Sequence, residues 1–537
     1  MDDIAKLLNA DLNTPYEKDP VVGALVNGEL KSLDYRLIYP ADVKPVRLFS
    51  PLGKRIYRHS LCFLLSYAAS KVFPDRHLEI GHSLGDGYFF RFTDEEVTEA
   101  EVGELAETMR EAVRRDLRTE RINIPYSEAV SLFSGPRYER TLALLKTRND
   151  SGIRISRMDG FSYIAYEPIV TRTSLLTLWE LRPYHGGMLL RYPQSRDGYM
   201  RIRPFQDNPK LFEVFCRSAR ECRILKAESL GHLNEKIAEG DTQRLIELSE
   251  TMLDRQIMAI SEDIKRRKTV KMVFIAGPSS SGKTTSSLKL FSALEILGYT
   301  PIKISLDDYY LSRDLVPRDE DGNYDYEVME ALDLELFRKN MADLSEGLPV
   351  HLPSFDFRTQ KRSYGSEATV LSESSIVIVE GIHGLNPGLV PDIDPSLVYK
   401  IYISCLTSVS IDDNNRISTT DNRIIRRMIR DSRTRGTSAT ETLAMWPSVE
   451  RGEKNHIFPY QNNADAMINS SLPYEIAALT PYAIPLLRSV KPESGDAYTL
   501  SRRLLKFLEL CYMIPLEEIP RTSLLREFLG GSIYKAV

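Results

Sequence analysis

Four short apolar runs stand out in the second half of the chain, at 272–275, 302–306, 375–379 and 398–404. The stretches between them repeat their apolar residues at helical spacing or read as loop. Unbroken apolar runs of this length predict strands buried on both faces, and their alternation with helices predicts a doubly wound parallel sheet, hence an α/β fold. The first half carries a different pattern. Residues 20–57 alternate apolar and polar positions around Asn27-Gly28, a strong two-residue hairpin signal, which predicts a small β-rich module. Helical spacing at 60–72 and 95–116, mixed with the aromatic-rich strand pattern at 87–92, predicts an α+β domain. From 213 to 268 the chain is rich in Glu, Lys, Arg, Leu and Ile with few breakers, and reads as helix. The predicted order is therefore a β-rich module at 1–57, an α+β domain at 58–215, a helical connector at 216–268, the parallel-sheet domain at 269–490 and a helical appendix at 491–537.

Length and composition agree with several domains: 537 residues, 42% hydrophobic and 27% charged, exceed what one ordinary core accommodates. The formal net charge of -5 exerts no global pull on nucleic acid or anionic membrane, so any anion site must be local. Five scattered cysteines without a Cys-x-x-Cys pair argue against a disulfide framework and a zinc ribbon, and point to the cytosol. No run approaches the ~18 apolar residues of a membrane span, and Met1-Asp-Asp-Ile-Ala-Lys6 lacks the basic-then-apolar start of a leader, so neither export nor an anchor is expected.

The chemistry begins where the run at 272–275 ends, in Gly277-Pro-Ser-Ser-Ser-Gly282-Lys283-Thr284-Thr285. This is Gly-x-x-x-x-Gly-Lys-Thr on a strand-to-helix turn, the context that gives the pattern meaning and sets it apart from a glycine-serine turn with no ligand. Gly277 and Gly282 permit the turn. Ser279, Ser280, Ser281 and Thr285 present backbone amides to phosphate, and Lys283 adds a point charge for the β and γ phosphates. The Thr284 hydroxyl is placed for Mg²⁺.

Three further clusters bear on what the triphosphate is for. Ser305-Leu-Asp307-Asp308-Tyr-Tyr310 ends the second predicted strand, where such sheets open their active sites; a carboxylate there either accepts the proton of an attacking hydroxyl or helps hold Mg²⁺, although Asp-Asp alone also suits a turn or a helix cap. Ile376-Val-Ile-Val-Glu380-Gly381 is an apolar strand ending in an acid, the Walker B arrangement with Glu380 in place of Asp; a plain strand-ending surface glutamate is the alternative. Arg423, Arg426, Arg427 and Arg430 fall at i, i+3, i+4 and i+7, with Ile424, Ile425, Met428 and Ile429 opposite. Such a face suits a helix closing over phosphates, an ordinary solvated surface or, less readily, a nucleic-acid patch.

Taken in order, these motifs resemble the uridine kinase and phosphoribulokinase family of P-loop kinases over roughly residues 270–490. The likeness to uridine kinases extends through Asn323-Tyr-Asp325, Leu352-Pro-Ser-Phe-Asp356-Phe357 and Ala464-Asp465-Ala-Met-Ile-Asn469. The resemblance implies an ATP- and Mg²⁺-dependent kinase acting on the 5′-hydroxyl of a nucleoside, uridine or cytidine first. By the same match Asp307 would be the general base and Lys283, Arg426 and Arg430 would serve the phosphates. Thr284 and Glu380 would hold Mg²⁺. Asp325, Tyr310, Phe355, Gln360 and Arg423 would face the acceptor, with Gln360 standing where uridine kinases carry a histidine.

The first half resembles the ubiquitin-like and editing-type N-terminal domains of threonyl-tRNA synthetase, through Ile56-Tyr-Arg-His59-Ser60 and Ile80-Gly-His-Ser-Leu-Gly-Asp86-Gly-Tyr-Phe89. The editing constellation of that family is broken here: Phe63 follows His59 by four residues, and no cysteine lies between Cys62 and Cys216. His59, His77, His82 and His185 read as partly buried structural histidines in preference to remnants of that constellation. A rival function is an NTP-regulated RNA- or tRNA-binding factor that uses the P-loop as a switch. Residues 1–215 hold 30 Lys plus Arg against 30 Asp plus Glu, a balance without the basic excess of RNA-binding modules. A small-molecule nucleoside is thus the expected partner, with homo-oligomerisation left open.

Overall fold

In the computed structural model, residues 3–85, 87–318, 322, 324–356, 359 and 361–534 are described. The second half is built on a five-stranded sheet of β1 (Met272–Ala276), β2 (Thr300–Ser305), β3 (Ser375–Glu380), β4 (Val398–Ser404) and β5 (Ala466–Asn469), in the order β2-β3-β1-β4-β5 with every neighbouring pair parallel. Every residue of β1 and β3 is buried, as helices on both faces of a parallel sheet require. The helices are α1 (Lys283–Ile296), α2 (Leu334–Ser345), α3 (Thr419–Thr434), α4 (Ala439–His456), α5 (Glu475–Ser489), α6 (Asp496–Leu508) and the short α7 (Arg526–Leu529).

Strand order is what assembles the site. β3 lies between β1 and β2, and the registers Ile275 to Glu380 and Ser305 to Glu380 bring three strand ends to one level. Neighbouring strands are separated by ~4.8 Å, so the loop after β1, the acid ending β3 and the turn after β2 must meet at the carboxyl edge of the sheet.

The first half forms three antiparallel sheets. Val21–Val26, Glu29–Lys31 and Val43–Arg47 make one, with the first strand central and Asn27-Gly28 turning in the left-handed region (φ 49° and 76°). Leu78–Leu84, Gly87–Phe92, Gly187–Arg191 and Glu180–Tyr184 make the second, and Glu120–Pro125, Gly152–Met158 and Phe161–Ile164 the third. The helix expected at 60–72 begins earlier, at Pro51–Val72: Ser50 accepts from the Gly53 amide at 3.1 Å and Pro51 occupies the first helical turn, so Ser-Pro is a cap and not a loop.

Helices Pro209–Leu225, Leu230–Ala238 and Thr242–Arg267 lead into β1, and Lys289 of α1 reaches Asp254 of the last of these at 2.7 Å. The first half is also tied to the second by Asp413, which accepts from the Thr141 amide at 2.8 Å and its hydroxyl at 2.7 Å and faces His77 Nε2 at 2.8 Å. The segment expected as an appendix at 491–537 enters the main core through its described residues: Leu504, Leu505, Leu508, Leu524, Leu525 and Phe528 pack with Ile424, Ile425 and Leu479. Arg503 of α6 clamps Asp421 in the first turn of α3. Among the described residues no helix is long and apolar enough to cross a membrane.

Candidate functional site

The loop after β1 has the backbone its sequence demands. Gly282 sits at φ 83° and Ser280 at φ 58°, and a Cβ on Gly277 would come within 2.1 Å of the Ile403 carbonyl oxygen. Only glycine fits at 277, because β4 runs directly beneath it. The buried hydroxyls of Ser280, Ser281 and Ser286 have no hydrogen-bond partner, and α1 starts at Lys283, directly after the loop and with no side-chain cap at Gly282. Orphaned donors at a helix N-terminus make this loop a fit for a polyphosphate.

Lys283 folds back on the loop, donating to the carbonyls of Gly277 at 3.0 Å and Pro278 at 3.2 Å. Burial pushes its ammonium below the ordinary lysine range, and the carboxylates of Glu380, Asp307 and Glu527 oppose that shift. Thr284 donates to both oxygens of Glu380 at 3.3 Å, and Lys303 approaches the same carboxylate at 3.3 Å. A hydroxyl and a carboxylate that far apart and so oriented are oxygen donors suited to Mg²⁺. Among the described residues no three His, Cys, Asp or Glu gather as an all-protein metal cage, and Mg²⁺ characteristically takes one or two protein oxygens plus phosphate and water.

Asp307 lies in the 3-10 turn Leu306–Tyr309 that follows β2, its amide donating to Ser305 Oγ at 3.3 Å. Burial raises its carboxyl above the usual range; Lys283, Arg435 and Arg430 pull it down and Asp308 pushes it up. Asp308 accepts from the Phe355 amide at 3.0 Å, pinning the hairpin Pro353–Asp356 and Lys361–Tyr364 beside the turn. Arg362 secures the same hairpin, donating to the Tyr310 carbonyl at 3.0 Å and pairing with Asp333 at 2.8 Å. Tyr310 donates to the Tyr326 carbonyl at 3.0 Å, and its ring lies 6.2 Å from that of Phe355. Asp325 accepts from the Glu327 amide at 3.0 Å. Tyr310 and Phe355 thus come together, Asp325 is the chain neighbour of Tyr326, and Gln360, Asn323 and Phe357 lie outside the described residues.

The arginine face divides. Arg423 and Arg426 are buried and paired: Arg423 binds Glu453 through both terminal nitrogens, one bond at 2.7 Å, and Arg426 binds Glu475 and the Ser470 carbonyl at 2.7 and 2.9 Å. Through Nη1 each also donates to the loop, Arg423 to the Ser279 carbonyl (3.2 Å) and Arg426 to the Ser280 carbonyl (3.3 Å), gripping it from behind. This corrects the expectation that Arg426 and Arg423 present free cations to phosphate or acceptor. Charges sealed from water persist only when paired, and the acids that pair them lie on α4 and α5, far along the sequence. Arg427 and Arg430 stay nearer the surface. Arg427 donates to Ser279 Oγ at 2.9 Å, and buried Asp431 gathers Arg427, Arg430 and Arg435 at 3.3, 2.8 and 3.6 Å. Asp431 at i+4 from Arg427 and i−4 from Arg435 was available as a sequence signal; Glu453, Glu475 and Arg362 were not.

Two further carboxylates face the loop. Glu327 packs against Gly452, and burial lifts its carboxyl to about 7, with Arg427 lowering and Glu453 raising it. Glu527 of α7 accepts from Thr285. The histidines of the first half are engaged structurally. His82 stacks on Phe215, His185 stacks on Phe212, and burial holds His59 down to about 3.

A family model described as Phosphoribulokinase / Uridine kinase family matches residues 272–476. A uridine kinase of Staphylococcus carnosus (strain TM300) is 30% identical over 198 residues, which are 37% of this chain and 86% of the relative. One of Macrococcus caseolyticus (strain JCSC5402) is 32% identical over 199 residues, again 37% of this chain and 86% of the relative. A solved structure titled as a possible uridine kinase from Bacillus stearothermophilus is 21% identical, covers 41% of this chain and all of its own, and aligns with a TM-score of 0.28.

Proposed function

This chain belongs, through residues 272–476, to the phosphoribulokinase and uridine kinase family and is a phosphotransferase with an alcohol acceptor; on that premise we propose that it transfers the γ-phosphate of ATP to the 5′-hydroxyl of a nucleoside, uridine or cytidine first. The observation that carries the reading is the position of Asp307, a half-buried carboxylate in the turn after β2 at the carboxyl edge of the sheet, which the charge of Lys283 reaches and which lies in the same turn as Tyr309, next to Tyr310. A nucleotide switch has no use for a base aimed at an acceptor hydroxyl.

In this reading the amides of the loop at 277–285 hold the triphosphate, and Lys283 steadies its β and γ phosphates. Thr284 and Glu380 hold Mg²⁺, which neutralises phosphate oxygens. Asp307 takes the proton of the attacking hydroxyl, and Arg430 with Arg427 stabilises charge on the transferring group. Arg423 and Arg426 act one step back, fixing the loop that presents the amides. Asp325 holds the acceptor's sugar while Tyr310 and Phe355 line its base side.

The first half, which resembles synthetase editing-type domains, serves substrate selection or regulation in this reading; its junction with the loop at 407–416, which leads into α3, supports that role. Incubation with ATP, Mg²⁺ and a panel of nucleosides tests the assignment: uridine or cytidine should yield the 5′-monophosphate, and no nucleoside monophosphate from any member would overturn it.

A further inference from the structure

The carboxylate of Glu527 sits where a phosphate belongs. Its Oε2 accepts from the Thr285 amide at 3.1 Å and from the Thr285 hydroxyl at 2.8 Å, at the first turn of α1. The amides of a P-loop and its helix N-terminus cradle the α and β phosphates of a nucleotide, so two donors of that cradle are already satisfied by an anion from the chain itself. The charge of Glu527 is also felt by Lys283.

The segment that delivers this carboxylate is firmly held. Leu524, Leu525 and Phe528 are fully buried, and a Cβ on Gly282 would come within 2.8 Å of Leu524, so the tail lies in direct contact with the loop. Arg433 of α3 donates to the carbonyls of Glu527 at 3.0 Å and Phe528 at 3.1 Å, fixing the backbone from which Glu527 projects. Arg526 ties the segment to itself through the carbonyls of Leu516 (2.9 Å) and Ile519 (3.2 Å), and Ser523 shares a 3.0 Å contact with the Tyr474 hydroxyl. Glu527 alone in this stretch is half-exposed, between buried Arg526 and Phe528.

We propose that Glu527 is a built-in competitor for nucleotide, a carboxylate plug that occupies part of the phosphate cradle in the free protein and must rotate out when a nucleotide binds. The inference rests on the reading of the loop at 277–285 as a nucleotide site and adds its regulation. A carboxylate and a phosphate cannot share the two Thr285 donors, since like charges at contact distance beside a helix N-terminus repel. The backbone anchors make the movement a side-chain rotation rather than an unfolding of the tail. The same anchors link the plug to α3: a shift of the arginine helix moves the Glu527 carbonyl that Arg433 holds, so nucleotide affinity follows the position of that helix.

The test is calorimetric titration of MgATP and MgADP into the wild-type protein, Glu527→Gln and Glu527→Ala, with the KM of the acceptor measured alongside. Both variants should bind both nucleotides about tenfold more tightly, the affinity ratio that corresponds to ~1.4 kcal/mol, with the acceptor KM unchanged. Glu527→Gln, which keeps the side chain's shape, decides the matter if Glu527→Ala fails to fold. Unchanged or weaker nucleotide binding by Glu527→Gln would overturn the plug. Tighter binding without phosphorylation of any nucleoside would leave the plug standing and overturn the acceptor assignment instead.

Discussion

The guanidinium of Arg426 lies fork to fork on the carboxylate of Glu475, with both side chains sealed from solvent and a spare N–H of the arginine holding the Ser280 carbonyl. Removing one member strands the other as a buried charge. Glu475→Gln should therefore destabilise the protein by ~3–5 kcal/mol, while the double change Arg426→Met with Glu475→Leu should cost clearly less. Urea denaturation of the two variants checks this; a double variant that loses as much stability as Glu475→Gln or more would show that the cost of the single change is not that of a stranded buried charge.

Asp307→Asn should reduce transfer by ~10²–10⁴-fold while leaving the affinity for MgATP within about twofold, because the base acts on the acceptor. Burial raises the Asp307 carboxyl, so the wild-type rate should fall on acidification at a pH above the ordinary aspartate range, the protonated form being inactive. A rate profile flat down to pH 4 would contradict the assignment of Asp307 as the base.

Thr284 and Glu380 share one oxygen-lined corner. Glu380→Gln removes a charged oxygen donor, and the Mg²⁺ concentration giving half-maximal rate should rise at least tenfold, with a smaller rise for Thr284→Val. Magnesium titrations at saturating ATP read this directly. Identical Mg²⁺ dependence in all three proteins would place the ion elsewhere.

Glu327 is a half-buried carboxyl that loss of solvation lifts to about 7. A carboxyl whose folded-state value is raised holds its proton longer in the folded than in the unfolded protein, so stability falls as pH rises from about 4.5 to about 7. Glu327→Gln should raise Tm at pH 8 and leave it nearly unchanged at pH 4.5. Melting curves at the two pH values measure the difference, and a Tm gain that is the same at both would remove Glu327 as the titrating group.

Strand order explains why the donor side was legible in the sequence and much of the rest was not. Gly277, Lys283, Thr284, Asp307 and Glu380 are each fixed by a strand that ends beside them, and a buried parallel strand announces itself as an apolar run. Glu380 needed only that its strand lie next to β1, and Asp307 that its strand lie next to β3, which the registers through Ile275 and Ser305 provide. Sequence spacing places the start of the helix Pro51–Val72 late because Ser50-Pro51 reads equally as a turn or as a cap until the Gly53 amide is placed. Arg423 and Arg426 read as a free cationic face because periodicity reports which residues share a side of a helix and not what covers that side.

The sequence by itself determined the phosphate-binding turn, the parallel sheet beneath it and the acids at its edge, since these follow from local backbone demands and from apolar period. Only the tertiary structure decided which charges remain free. Glu453 and Glu475 cancel two arginines from 30 and 49 residues away, and Glu527 reaches Thr285 across 242 residues. Pairing at that separation leaves no periodic trace in the chain, because it is set by how α4, α5 and the tail pack around the loop and by the rule that a buried charge or donor must find its partner there.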